Sequence, residues 1–121
     1  MSKESRITTA GQDAVKNNNI KIKEEQNMEQ YYIIRCDRAG VFFAKIKSRN
    51  GSEAVLTDAR RLWEWAGAYT LSDLATTGTI DPRNCKFTLA VPEMLVLGVI
   101  EIIPCTDQAT AGIQGVKVWK L

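Results

Sequence analysis

Residues 31–48, YYIIRCDRAGVFFAKIKS, decide the fold. Tyr31–Asp37 and Val41–Ser48 are dense in aromatic and β-branched side chains, which fit a pleated, half-buried surface better than a helix. Only Arg38-Ala39-Gly40 stands between them, so two strands joined as a hairpin are expected. Alternation along the second puts Phe42, Ala44 and Ile46 on one face and Phe43, Lys45 and Lys47 on the other. Arg49-Asn50-Gly51-Ser52 follows. Asn-Gly accepts the positive φ angles of a type I′ turn, so the chain should reverse there and start a third strand from Glu53.

Downstream, Ala54–Trp65 (AVLTDARRLWEW) has two readings. Extended, it places Arg61, Trp63 and Trp65 on one face and Arg60, Leu62 and Glu64 on the other. As a helix capped by Asp58 it gathers Ala59, Leu62, Trp63 and Ala66 into a stripe. Two tryptophans at spacing two favour the strand. Thr70-Leu71-Ser72-Asp73 then carries an N-cap signal and Gly78 a stop, so a short helix is expected over Leu71–Thr77. Asp81-Pro82-Arg83-Asn84 reads as a turn, and Phe87–Val91 as a strand that Pro92 ends. Met94–Ile103 is apolar on both faces except at Glu101, which predicts one central, doubly covered strand closed by Pro104. Thr106 is positioned to cap a last helix over Asp107–Ile113. Gly115 then releases a strand or tail bearing Val116, Val118 and Trp119. The expected fold is α+β: a small antiparallel-rich sheet of five or six strands with two short helices.

Upstream, residues 1–30 contain no aromatic side chain, an Asn17-Asn18-Asn19 run and evenly mixed charges. Their few large apolar residues bury too little surface to offset ordering entropy, so a flexible or loosely docked extension is expected. Residues 31–121 form the single compact domain, a size consistent with a chain of 121 residues. The longest apolar run, Met94–Ile100, is far short of the ~20 residues that cross a bilayer. No basic-then-apolar leader opens the chain, which points to the cytosol.

Composition limits the chemistry. There is no histidine, which removes imidazole bases, Ser-His-Asp and Cys-His catalysis and His-ligated zinc from this chain. Cys36, Cys85 and Cys105 are odd in number and lack a C-x-x-C pair, which argues for buried free thiols and against a disulfide framework or a thiolate metal site. The carboxylate pairs Asp58 with Glu64, and Glu93 with Glu101, have no flanking feature that separates them from surface charges. Phosphate-loop and dinucleotide glycine motifs are absent. The expectation is therefore no catalytic residue, no metal and no cofactor: a binding protein rather than an enzyme.

Binding has better residues. Arg60-Arg61-Leu62-Trp63-Glu64-Trp65 interleaves guanidinium groups, which fork onto phosphate oxygens, with indoles, which stack on bases. Asn84 and Phe87 add a base-edge donor and a second stacking wall, and Arg35 and Arg38 flank the first hairpin. Arg60 and Arg61 cannot both face one way on a strand, so one of them is expected to be structural or solvated. Each tryptophan is more readily a core residue than a site residue, and Tyr31, Phe42 and Phe43 belong to the core before any site. A net charge of +2 lacks the basic stripe of a duplex-DNA binder. A compact nucleotide-like ligand is favoured, duplex nucleic acid is disfavoured, and another protein remains an open partner. The apolar Val91–Ile103 stretch and edge strands predict a homo-oligomer, a dimer or higher.

The segments Ile33-Ile34-Arg35, Ala39-Gly40-Val41, Ser48-Arg49-Asn50-Gly51 and Leu56–Trp65, with Leu71–Ala75, Asn84–Phe87 and Val99–Thr106, resemble a family of small phage and prophage proteins. The resemblance spans Tyr32–Trp119. In size and strand-then-helix layout the chain is also similar to phage anti-defence sponges of the first anti-Thoeris type. That likeness implies a stable oligomer in the cytoplasm of the infected host. It implies sequestration, without turnover, of a cyclic ADP-ribose isomer or cyclic oligonucleotide in pockets between subunits. Two alternatives stand beside it: a phage protein that binds and inhibits a host protein, and a small structural or DNA-associated phage protein.

Overall fold

A computed structural model describes residues 30–120. The extension anticipated over residues 1–30 lies outside the described residues except for Gln30. Six strands form one sheet: β1 Tyr32–Cys36, β2 Val41–Asn50, β3 Glu53–Glu64, β4 Lys86–Phe87, β5 Val91–Val96 and β6 Val99–Pro104. Helix α1 spans Leu71–Thr77 and α2 spans Asp107–Gln114, and a single 3₁₀ turn covers Pro82–Asn84. The architecture is α+β and sheet-rich. All described pairings between strands are antiparallel, in the order β4-β3-β2-β1-β6, and β5 also pairs with β3.

The sheet is coiled, and the reason is a short link. β5 lies against β3 and β6 against β1, at opposite margins of the β1–β2–β3 meander. Only Leu97-Gly98 joins β5 to β6. Two linking residues reach roughly 10 Å at full extension, so the two margins must approach each other at that end. Backbone bonds fasten the approach: Val99 N–H donates to the Ser52 carbonyl at 2.9 Å and Asp37 N–H to the Gly98 carbonyl at 2.7 Å. The continuous strand expected over Met94–Ile103 is therefore two strands. Gly98, at φ +74°, breaks it, and Pro92 lies inside β5 rather than ending a strand.

Two cores result. On the concave face Ile34, Phe42, Ala44, Leu56, Ala59 and Val96 are buried together. On the other face Ile33, Phe43, Leu62 and Phe87 are sealed by Leu74 and Ala75 of α1 and Ala109 and Ile113 of α2. Alternation in β2 behaves as read, with Phe42 and Phe43 on opposite faces. The following turn is shifted by one residue: Asn50 pairs with Glu53, and Gly51 alone adopts positive φ (+62°), the geometry that puts glycine first in a two-residue loop.

Ala54–Trp65 resolves as strand but carries a bulge. Lys45 pairs with Thr57 and Phe43 with Arg60, so β3 holds one extra residue, and Asp58 takes φ +51° there. Aspartate tolerates this left-handed conformation better than most side chains. The bulge switches the alternation: Ala54 and Leu56 face the concave core, and so does Ala59.

Both helices start as read. Thr70 Oγ1 accepts from Asp73 N–H at 3.1 Å, and Thr106 Oγ1 accepts from Ala109 N–H at 3.0 Å. Each such cap contributes about 1 kcal/mol. Seven or eight residues do not hold a helix alone, so packing decides. Thr106 Oγ1 also donates to the Thr76 carbonyl at 2.6 Å and Gln108 Nε2 to that of Thr77 at 3.2 Å, tying α2 to the end of α1. All three cysteines are buried, and no disulfide joins them. Burial pushes the Cys105 thiol up to about 12. It also raises Cys36, against an opposing pull from the Arg61 guanidinium. No helix among the described residues is long and apolar enough to cross a membrane.

Candidate functional site

Alternation along β3 sends Arg60 and Arg61 to opposite sides of the sheet, and the Asp58 bulge sets which side each takes. Arg60 is 6% exposed. Its Nε donates to the Thr88 carbonyl at 2.8 Å, Nη1 to that of Ile113 at 2.8 Å, and Nη2 to that of Phe87 at 3.3 Å. Its guanidinium also lies 5.6 Å from the Phe87 ring centroid. Burial lowers the Arg60 pKa, and the Asp58 carboxylate partly opposes that shift. Every nitrogen is engaged with backbone or ring, so this arginine ties β4 and the end of α2 to β3 and presents no fork to a ligand.

Arg61 is placed differently. Its guanidinium lies 4.6 Å from the Phe42 ring centroid, and Nη1 donates to the Ala39 carbonyl in the β1–β2 link. Gly40 makes room for it: a Cβ there would stand 3.2 Å from Nη1, and its φ of +109° excludes most side chains as well. No carboxylate pairs with Arg61 or with exposed Arg38 among the described residues.

These two arginines border a groove of about 640 Å³ where the coiled sheet draws together. Its apolar wall comes from Met94, Leu95, Val96 and Leu97 across from Phe42 and Ala39, and Asp37 is its one carboxylate. Leu95 and Leu97 are 61% and 58% exposed, so the rim is open and greasy. The groove therefore offers apolar side chains beside a net positive charge, with a volume in the range of small-molecule sites.

The other expected site residues are dispersed. Arg35 is engaged at the surface, its Nε 2.9 Å from Glu101 Oε1. Phe87 is fully buried in the helix-side core, and Trp65 packs half-buried against the same core. Asn84 donates through Nδ2 to both Asp81 oxygens, at 3.0 and 2.9 Å, and so locks its own turn. Trp63 is 64% exposed and its ring is near-parallel to that of Trp119, with centroids 6.4 Å apart. Of the eight residues, then, only Arg38 and Arg61 share the groove. The apolar wall from β5 was missed, because it depends on the Gly98 turn that brings Leu95 and Leu97 around to Arg61. A glycine inside an otherwise unbroken apolar run was the available signal. No cluster of three or more Cys, Asp or Glu among the described residues is arranged to hold a metal.

A family model described as a domain of unknown function (DUF6948) matches residues 29–113. No curated protein and no solved structure matches the chain.

Proposed function

From the premise that the chain belongs to the DUF6948 family, we propose that it is a binding protein whose groove at Arg38 and Arg61 holds a compact anionic, nucleotide-like ligand without transforming it. One observation carries this reading: two guanidinium groups without carboxylate partners stand at an open groove of about 640 Å³ whose opposite wall is apolar. Guanidinium forks recognise phosphate, and the Met94–Leu97 wall accepts the face of a base. The absence of histidine fits retention rather than turnover.

The resemblance to phage proteins supports a finer form of the proposal. The chain would be phage-encoded, would act in the cytoplasm of the infected host, and would sequester a cyclic ADP-ribose isomer or cyclic oligonucleotide as an anti-defence sponge of the anti-Thoeris kind. Leu95, Leu97 and Ile100, all more than half exposed, support working as a dimer or higher oligomer. A sponge must hold its ligand near nanomolar strength, roughly −12 kcal/mol. Calorimetry with cyclic ADP-ribose isomers and cyclic di- and trinucleotides tests this. Tight binding that Arg38→Ala weakens is the expected result, and no binding at micromolar concentration across the panel rejects it. Light scattering checks the oligomer, which a 13.5 kDa particle would exclude.

A second reading, inhibition of a host protein, is favoured by a different place. Tyr69 and Ile80 are 97% and 92% exposed around a hollow of about 490 Å³ beside α1. Protruding aromatic and aliphatic side chains of this kind anchor protein interfaces. Loss of a stoichiometric host partner on Tyr69→Ala would favour it over the groove.

A further inference from the structure

On the β4 side of the sheet the chain assembles aromatic rings and cations from three segments distant in sequence. The terminal residues run beside β4, where Val118 forms a parallel bridge with Phe87 and Trp119 N–H donates to the Phe87 carbonyl at 2.9 Å. This brings Trp119 to Trp63, with rings 10° from parallel. Lys86 Nζ stands 5.6 Å from the Trp119 ring centroid and 3.3 Å from Glu64 Oε1. Arg83, Lys117 and Lys120 line a hollow of about 460 Å³ together with Trp119. None of these three has an ion-pair partner among the described residues. Three unpaired cations thus share a hollow with Trp119, Lys86 lies over its ring, the exposed Trp63 stacks beside it, and Glu64 is the one carboxylate paired into the group.

We propose that the Trp63–Trp119 pair, with Arg83, Lys86, Lys117 and Lys120, is a stacking platform for single-stranded nucleic acid. The chemistry of the patch selects this occupant. The exposed Trp63 indole accepts an unstacked base at ~1–3 kcal/mol, and the cations beside Trp119 meet the neighbouring phosphates. A paired duplex hides its base faces and offers only its backbone, for which four cations are few. Recognition is independent of base sequence, because the patch presents ring faces and cations rather than a set of base-edge donors.

Fluorescence anisotropy of the full chain with labelled oligothymidylate at low salt tests the platform. Three or four phosphate contacts predict affinity falling roughly 20- to 50-fold between 50 and 200 mM salt. Trp63→Ala should weaken binding about tenfold or more and Trp63→Phe should restore most of it. Lys117→Glu should weaken it and flatten the salt dependence, whereas Arg38→Ala in the groove should leave it unchanged. No binding at low salt overturns the proposal. So does equal affinity for duplex and single strand, or binding that Trp63→Ala leaves intact. Loss of oligonucleotide binding on Arg38→Ala would also overturn it, by moving the nucleic acid to the groove.

Discussion

On the helix-covered face of the sheet, Arg60 sits among three carbonyl oxygens and an aromatic ring, sealed from solvent. One residue later, on the coiled face, Arg61 keeps one carbonyl and one ring and borders an open groove. The two side chains are chemically identical and adjacent in sequence. What separates them is the number of backbone acceptors that each face exposes. β4 is only two residues long, and Phe87, Thr88 just past it and Ile113 near the end of α2 all turn carbonyls to the Arg60 guanidinium, two of them while also accepting a backbone N–H from Trp119 or Val116. On the concave face only the Ala39 carbonyl, among the described residues, meets Arg61. An arginine there is left with donors to offer.

The sharpest way to break this contrast is Arg60→Met. Two buried carbonyls and one half-buried carbonyl would lose a charged donor, and a loss of about 3 kcal/mol or more is expected in urea denaturation. A loss below about 1 kcal/mol would mean that Arg60 is not the clamp. Arg61→Ala should cost only about 1 kcal/mol of stability, since one hydrogen bond and one ring contact go. The same change should weaken ligand binding in the groove about tenfold or more, read by calorimetry. If both variants lost stability equally, the functional distinction between the faces would fall.

The helix-side core makes a pH prediction that the concave side does not share in the same degree. The folded-state Cys105 thiol titrates at about 12 against an ordinary 9.0, so the unfolded chain releases this proton first as pH rises. Its contribution is intact below pH 9 and is lost progressively from there towards about 12. Between pH 9 and 10 the wild type should lose about 1 kcal/mol more than Cys105→Ala in chemical denaturation. Parallel curves for the two proteins would show that Cys105 carries no such linkage. The smallest effect belongs to Trp63→Ala: an exposed ring should change stability by no more than about 0.5 kcal/mol, measured by thermal melting.

Much of the fold was legible because local chemistry and tertiary packing agree. The aromatic and β-branched run at 31–48, the Thr70 and Thr106 caps and the spacing of Trp63 and Trp65 all point to the elements that form. The reading stopped where a single residue changes the geometry of a whole strand. Asp58 inserts a bulge that no alternation count foretells, and Gly98 splits what composition presents as one central strand. The site followed the same divide. The adjacent arginines were visible, and so was the rule that a strand sends them opposite ways. Which of them would meet an acceptor-rich surface depends on β4 being so short, and on Phe87 and Ile113 offering their carbonyls. The partnership of Trp63 with Trp119 rather than with Trp65 likewise arises from a contact that spans 56 positions.

The link between β5 and β6 has a kinetic consequence. These strands follow one another in the chain, yet they share no ladder, since β5 is paired to β3 and β6 to β1. A normal hairpin can zip from its own turn. This one has nothing to zip against until residues 32–64 have already assembled, and its partners lie far away in sequence, as with Thr57 and Glu93 or Arg35 and Glu101. Such high contact order makes the segment Val91–Pro104 late to assemble. The hollow beside Arg61 is thus bounded on one side by a late-forming part of the sheet, and hydrogen exchange should find its amides released ahead of those in β2.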